Sequence, residues 1–221
     1  MANNPAKFTN SILDVITDKL IGFGGKYILD PFGGSGKIAL IKKSIPCYIH
    51  CNDIENGWKE DYPVDKWYHQ DAQTLDTEGL LYDAIVTSPT YGNRMADHHN
   101  AKDASKRITY THRYGAKLTE GNTGVLHFGN EYKNKHVAIF RHLLTLLKDG
   151  SIVMVNVSDF IRKGEVVGVV SWWKDMLEGL GLAFIEEAHI KTPRMRFGAN
   201  NEKRVEGESL LVFKKVKIYE K

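Results

Sequence analysis

Apolar and polar positions along the chain change period several times, and each change marks an element. From Asn10 to Leu20 the apolar residues Ile12, Leu13, Val15, Ile16 and Leu20 fall at helical spacing. Tyr27-Ile28-Leu29-Asp30 then reads as a short buried strand, followed by a glycine turn and by Ile38-Ala39-Leu40-Ile41, which opens a helix. A second strand is expected from about Cys47 to Asp53, a third at Trp67-Tyr68-His69-Gln70, and a fourth at Ala84-Ile85-Val86-Thr87-Ser88. The fourth is apolar enough to lie in the centre of a sheet. Val137 to Leu147 reads as a helix stopped by Asp149-Gly150, Ser151 to Val157 as a strand, and Val166 to Leu180 as a helix ended by Gly179 and Gly181. Leu182 to Ile190 and Ser209 to Lys215 are two last strands with no helix between them. Alternation of strand and helix argues for an α/β domain with a mainly parallel sheet, and the last two strands for a closing antiparallel hairpin.

From Gly92 to about Asn130 the periodicity dissolves into polar sequence containing Gly and Asn. A stretch of that length is too long for an ordinary connection, and such loops usually serve function. Residues 92–130 are therefore read as a long inserted loop within a single domain covering 1–221. The 221 residues suffice for one generous domain, and no apolar run reaches the roughly 18 residues of a membrane span. The first residues lack a signal-peptide pattern, which points to the cytoplasm.

Charge changes the picture only locally. The 30 basic and 27 acidic residues leave a net charge of +3, too mild to identify a partner. Arg94 to Lys117 and Lys191 to Arg204, however, are both basic stretches, as suits a polyanion. Cys47 and Cys51 are the 2 cysteines, on one face of a strand with His50 on the other. Two ligands cannot close a zinc site, so buried reduced thiols are expected.

The candidate chemistry sits at strand ends. Asp30-Pro31-Phe32-Gly33-Gly34-Ser35-Gly36-Lys37 stands where the first strand meets the next element, and glycines there let a ligand approach the backbone closely. A phosphate loop, G-x-x-x-x-G-K-[ST], is excluded, because Pro31 holds its first position and Ile38 follows the lysine. The dinucleotide pattern is met only permissively, by Gly34, Gly36 and Ala39. The string D-P-F-x-G-S-G resembles the S-adenosylmethionine loop of amino-group DNA methyltransferases and of some RNA methyltransferases. That resemblance implies an acid about 20 residues on for the ribose hydroxyls. Asp53 takes this place, with Glu55 as the fallback, and Asp71 after the third strand would accept a bond from the adenine amine. Asn4-Pro5-Ala6-Lys7-Phe8-Thr9 resembles the segment preceding the loop in the same family, so Phe8 and Thr9 would lie along the cofactor. The implied S-adenosylmethionine site is Phe8, Thr9, Asp30, Phe32, Gly33, Gly34, Gly36, Asp53, Asp71 and Ser88.

Thr87-Ser88-Pro89-Thr90-Tyr91 follows the fourth strand and resembles the [D/N/S]-P-P-[Y/F/W] motif of that family, which implies Ser88, Pro89 and Tyr91 as the catalytic residues. An exocyclic amine is a poor nucleophile because its lone pair is delocalised into the ring. The Ser88 oxygen and the Pro89 carbonyl can accept its hydrogens and move the nitrogen toward tetrahedral geometry. Tyr91 can stack on a base flipped out of the duplex, a contact worth about 1–3 kcal/mol. Two departures stand out: Thr90 replaces the usual second proline, and Ser88 stands where adenine-specific relatives carry Asp or Asn, which leans toward cytosine N4.

The resemblance covers about residues 4 to 95 motif by motif and is only architectural beyond Lys148. It implies a Rossmann-like class I methyltransferase fold of the compact orphan or phage type, in a bacterial or phage-infected cell. The implied partner is DNA, double-stranded with the target base flipped out. Large members carry a separate recognition domain for which there is no room here, so loops must select the target. Arg94 in the first basic loop and Arg194, Arg196 and Asn200 in the second are the candidate substrate contacts. His98-His99 offers a possible metal pair, but the chemistry needs no metal and none is expected. The alternatives are an RNA base methyltransferase, such as a guanine-N2 enzyme, and a degenerate, non-catalytic nucleic-acid binder.

Overall fold

The computed structural model describes residues 7–92, 114–192 and 205–216. Helix α1 (Asn10–Ile21) starts where the Thr9 hydroxyl accepts the Ile12 amide at 3.3 Å, and it buries Ile12, Leu13, Ile16 and Leu20. Strand β1 (Tyr27–Asp30) follows, then a 3-10 segment (Lys37–Lys43), β2 (Tyr48–Asn52), β3 (Lys66–Tyr68) and β4 (Tyr82–Thr87). Beyond these come a short 3-10 turn (Thr123–Val125), α2 (Asn130–Leu143), β5 (Leu147–Val157), β6 (Phe160–Arg162), β7 (Glu165–Val167), α3 (Val169–Gly179), β8 (Leu182–Lys191) and β9 (Gly207–Lys215).

Seven of these strands form one sheet in the order β3-β2-β1-β4-β5-β9-β8. The first five are parallel, while β9 runs antiparallel to both β5 and β8. The expected terminal hairpin is present, with its second strand inserted between β5 and β8. Both faces of the sheet are covered, which explains the unbroken apolar runs of its central strands. On one face Ile28, Ile49, Ala84, Val86 and Met154 pack with α1 and the 3-10 segment. On the other Leu29, Ile85, Val153 and Leu211 pack with Tyr132 and Phe140 of α2 and Trp173 of α3. Cys51 is buried on the first face and reduced, as is the half-buried Cys47, while His50 faces Tyr82 across the second, Nδ1 to hydroxyl 2.9 Å.

The structure differs from the sequence reading in three places. The helix expected from Ile38 is a tight 3-10 segment, because Pro46 and the start of β2 leave it only seven residues. Helix α2 runs from Asn130 to Leu143 rather than from Val137 to a stop at Asp149-Gly150, which lie inside β5. Between Tyr82 and Ala84 the ladder slips, so that Leu147 and then Ile152 face them, and Gly150 takes φ +78 in the extra loop of strand. Lys215 secures this junction by donating to the carbonyls of Leu144 and Leu147 at 3.0 and 2.7 Å. Lastly, Val166 and Val167 belong to the β6–β7 hairpin, turned by Lys163 (φ 52) and Gly164 (φ 83) in the type I′ manner. Helix α3 therefore starts later, where the Asp159 carboxylate accepts the Val170 amide at 2.8 Å.

Candidate active site

The strand order reverses between β1 and β4, and a cleft opens there outside the carboxyl ends, where open α/β sheets take their ligands. Its floor begins with the glycine loop. Asp30 ends β1 almost wholly buried; its Oδ1 accepts the Thr87 hydroxyl at 2.6 Å and the Phe32 amide at 3.1 Å. Its Oδ2 is buried without a hydrogen-bond partner among the described residues, and burial pushes the carboxyl up to about 7. The Gly33 amide donates to the Asn52 carbonyl at 2.7 Å, so the loop lies flat against β2; a Cβ at Gly33 would stand 2.7 Å from that of Cys51. Gly36 turns the chain at φ +83, where a Cβ would also meet Trp67 at 2.8 Å. That turn requires glycine.

Two acids follow in the expected order. Asp53 Oδ2 accepts the Gly34 amide and its Oδ1 the Glu55 amide, both at 2.9 Å. Burial first, and then the charge of Glu55, push its carboxyl up to about 6 against those two bonds. Asp71 accepts the Gln73 amide at 2.9 Å and pairs with Lys135 at 2.7 Å. Asn52, which the sequence reading passed over, ties these strand ends together. Its amide donates to the carbonyls of Pro31 at 3.2 Å and Gln70 at 3.0 Å, and its oxygen accepts the Gln70 amide at 3.0 Å.

Glu55 has a different occupation from the ribose binding considered for it. Its buried carboxylate accepts the Thr119 amide at 2.5 Å, the Thr119 hydroxyl at 3.1 Å and the Asn122 amide group at 2.9 Å. Those bonds hold the last part of the inserted loop over the cleft, where Leu118, Gly121, Asn122 and Thr123 form a wall. Gly121 comes so close to Asp71 that a Cβ would stand 2.9 Å from its Oδ2. Trp58, buried beside Glu55, adds a flat apolar surface and packs on Tyr114 at 4.9 Å.

The third part is the corner after β4. Ser88 lines the same cleft as Gly34, Asp53 and Asp71. Its Oγ lies 3.1 Å from the Tyr91 hydroxyl, which donates to Glu208 Oε2 at 2.9 Å. The buried amide of Asn156 reaches Ser88 Oγ at 3.4 Å, the Tyr91 hydroxyl at 3.2 Å and Glu208 at 2.5 Å. Thr90 does not leave the turn loose. Its hydroxyl donates to that of Thr123 at 3.2 Å, and its carbonyl accepts the Tyr132 hydroxyl at 2.5 Å.

The cleft, about 660 Å³ including its open mouth, thus brings together Phe32, Gly34, Asp53, Asp71 and Ser88. Other expected residues stand behind it. The Phe8 ring packs into the core beside α1, and the Thr9 hydroxyl caps that helix. The Phe8 carbonyl accepts Lys37 Nζ at 2.8 Å, which ties this segment to the glycine loop. Gly33 and Gly36 shape the loop, Asp30 lies beneath it, and Pro89 is buried in the turn. Arg94, His98, His99, Arg194, Arg196 and Asn200 lie outside the described residues. Asn156 and Glu208 went unnoticed in the sequence, although a lone Asn inside the apolar run of β5 is a signal of a buried polar contact.

No protein-family model and no curated protein matches the sequence. Among solved structures, the chain is similar to the N-methyltransferase NodS from Bradyrhizobium japonicum WM9, with TM-score 0.56, 12% identity and 93% of each chain covered. It is also similar to the magnesium protoporphyrin IX methyltransferase ChlM from Synechocystis PCC 6803 with bound SAM, with TM-score 0.53, 12% identity, and 92% of this chain and 77% of that one covered. TrmN from Thermus thermophilus gives TM-score 0.52 and 16% identity, over 93% of this chain and 48% of TrmN. These likenesses, with the strand order, show the Rossmann-like methyltransferase fold.

Proposed function

We propose that the protein transfers a methyl group from S-adenosylmethionine to an exocyclic amine of a DNA base, cytosine N4 or adenine N6. The observation that carries this reading is the single cleft that Gly34, Asp53 and Asp71 share with Ser88 of the Ser-Pro-Thr-Tyr corner. The residues present fit the cofactor. Two carboxylates on adjoining strand ends suit a ligand with a diol and an aromatic amine. Each carboxylate oxygen keeps a second lone pair beside the one already used. Gly121 leaves open the space against Asp71. ChlM, which shares the fold, was crystallised with SAM, and NodS is an N-methyltransferase; both support the chemistry, while the DNA base rests on the corner motif.

Bound S-adenosylmethionine supplies an electrophilic methyl on its sulfonium. In this reading Asp53 holds the ribose hydroxyls and Asp71 the adenine amine. Ser88 Oγ and the Pro89 carbonyl accept the two hydrogens of the target amine and fix its lone pair in line with the methyl. The target base reaches the corner flipped out of its stack. Arg94, Arg194, Arg196 and Asn200 are proposed as contacts to phosphates and neighbouring bases.

The test uses isotopically labelled S-adenosylmethionine with unmethylated DNA and, separately, bulk RNA, followed by digestion to nucleosides and mass spectrometry. The expected result is label on N4-methylcytosine or N6-methyladenine from DNA. Label in RNA alone would replace the DNA reading by the RNA one. Cofactor binding with no transfer to either would leave a non-catalytic binder.

A further inference from the structure

Ser88 presents a chemical difficulty that the structure answers. Methylation of an amine releases a proton from nitrogen, and a neutral serine is a far weaker acceptor for it than the aspartate that the motif also admits at this place. The motif admits Asp, Asn or Ser at this place, and here a carboxylate stands behind the serine on another strand. Glu208, near the start of β9, accepts the Tyr91 hydroxyl at 2.9 Å. Tyrosine has one hydroxyl proton, so with that proton on Glu208 the Tyr91 oxygen can only accept from Ser88, 3.1 Å away. The serine proton is thus turned inward, and a lone pair of its oxygen remains for the cleft that Ser88 lines. Asn156 sets the spacing by placing one buried amide group against all three oxygens.

We propose that Glu208 is the terminal proton acceptor and positioning residue of the corner, acting on the substrate amine through Tyr91 and Ser88. The inference rests on the reading of this corner as an amine-methylating site. In the step, the amine nitrogen forms a bond to the methyl carbon while the carbon–sulfur bond breaks, its electron pair going to sulfur. The amine proton moves to Ser88 Oγ, the serine proton to the Tyr91 oxygen, and the tyrosine proton to Glu208. Nitrogen ends neutral, and Glu208 ends as the carboxylic acid, to be deprotonated by solvent before the next turnover. Tyr91 is therefore anchored at its hydroxyl end. Glu208 does not line the cleft and acts through the Tyr91 hydroxyl.

The experiment measures single-turnover methyl transfer at saturating cofactor for the full chain, Glu208→Gln, Tyr91→Phe and the double variant, on whichever nucleic acid the wild type labels. Glu208→Gln keeps the size and one acceptor oxygen but cannot take a proton. It is expected to lower the rate about 100-fold, the lower range for loss of a general base, with cofactor affinity within about twofold of wild type. Tyr91→Phe cuts the same chain, so the double variant should be about as slow as either single one rather than slower by the product. A wild-type rate in Glu208→Gln, or losses that multiply in the double variant, would overturn the relay while leaving the methyltransferase reading intact. Absence of transfer by the wild type to DNA and RNA alike would overturn that reading, and this inference with it.

Discussion

Ser88 and Asp53 line one cleft and face different problems, so substitutions at the two should separate in kinetics. Ser88 Oγ serves the reacting amine in the proposed reaction and holds no part of the cofactor's distant end. Ser88→Ala is expected to reduce turnover about 100-fold, with the dissociation constant for S-adenosylmethionine changed less than about twofold. Asp53 is tied to the glycine loop through the Gly34 amide and stands at the ribose position. Asp53→Ala removes charged acceptors, each worth roughly 1.5–3 kcal/mol, and should weaken cofactor binding at least about tenfold. Calorimetry of cofactor binding beside single-turnover rates separates the two. Equal losses of affinity in both variants would contradict the division of roles. The distinction exists because β1, β2 and β4 end side by side, so that residues far apart in sequence meet while keeping separate neighbours.

At the scale of elements, one carboxylate makes three of the hydrogen bonds that hold the wall over the cleft. Glu55 satisfies the Thr119 amide, the Thr119 hydroxyl and the Asn122 side chain, beside the Thr90 hydroxyl that donates to Thr123 further along the same stretch. Glu55→Ala removes the acceptors of the Thr119 amide and the Asn122 side chain, at a cost of about 1–3 kcal/mol for each donor left unsatisfied. Hydrogen exchange at the Thr119 amide should quicken about tenfold or more, and cofactor should dissociate faster, while the global unfolding temperature changes little. An unchanged exchange rate at Thr119 would show that the wall has other support. This element also marks the limit of what the chain discloses before folding. The glycine loop, Asp53, Asp71 and the Ser-Pro-Thr-Tyr corner were legible because each lies within a few residues of an apolar strand, and parallel strands gather such ends on one side. Glu55 could stand only as a fallback to Asp53, because an acid after β2 has the same local surroundings whether it faces a ligand or a loop some 64 residues on. Asn156 carried a signal of a buried polar contact, but its pairing with Glu208 was illegible for a related reason. Their partnership depends on β9 lying against β5, and only the terminal hairpin, not its insertion between β5 and β8, could be read from two adjacent apolar runs.

For the molecule as a whole, the buried titratable groups set a pH dependence whose sign can be worked out. Burial raises Asp30 to about 7 and Asp53 to about 6, so between roughly pH 4 and those values the folded chain holds protons that the unfolded chain has released. Each such group contributes stability below its unfolded pKa that is lost as pH rises through its folded one. His136, lowered to about 4 by burial, and His50, lowered in the same way, act in the opposite sense. Below about pH 6.5 the unfolded chain protonates them more readily, which destabilises the fold as pH falls. These opposing contributions partly cancel in the wild type, so the contribution of one group is read by difference. Asp30→Asn replaces a carboxyl that is neutral in the fold below about pH 7 by an amide neutral at every pH. Relative to wild type, the variant should gain stability steadily from about pH 4 to 7 and no more beyond. The total gain should be about 4 kcal/mol, the equivalent of the shift from 3.8 to about 7. Any constant offset, such as a poorer bond to the Thr87 hydroxyl, drops out because only the change with pH is read. Denaturant melts of both proteins at half-unit steps from pH 4.5 to 8 provide the check. A difference that stays flat would mean that Asp30 keeps its charge in the fold, and that some cation or solvent reaches its Oδ2, which has no partner among the described residues.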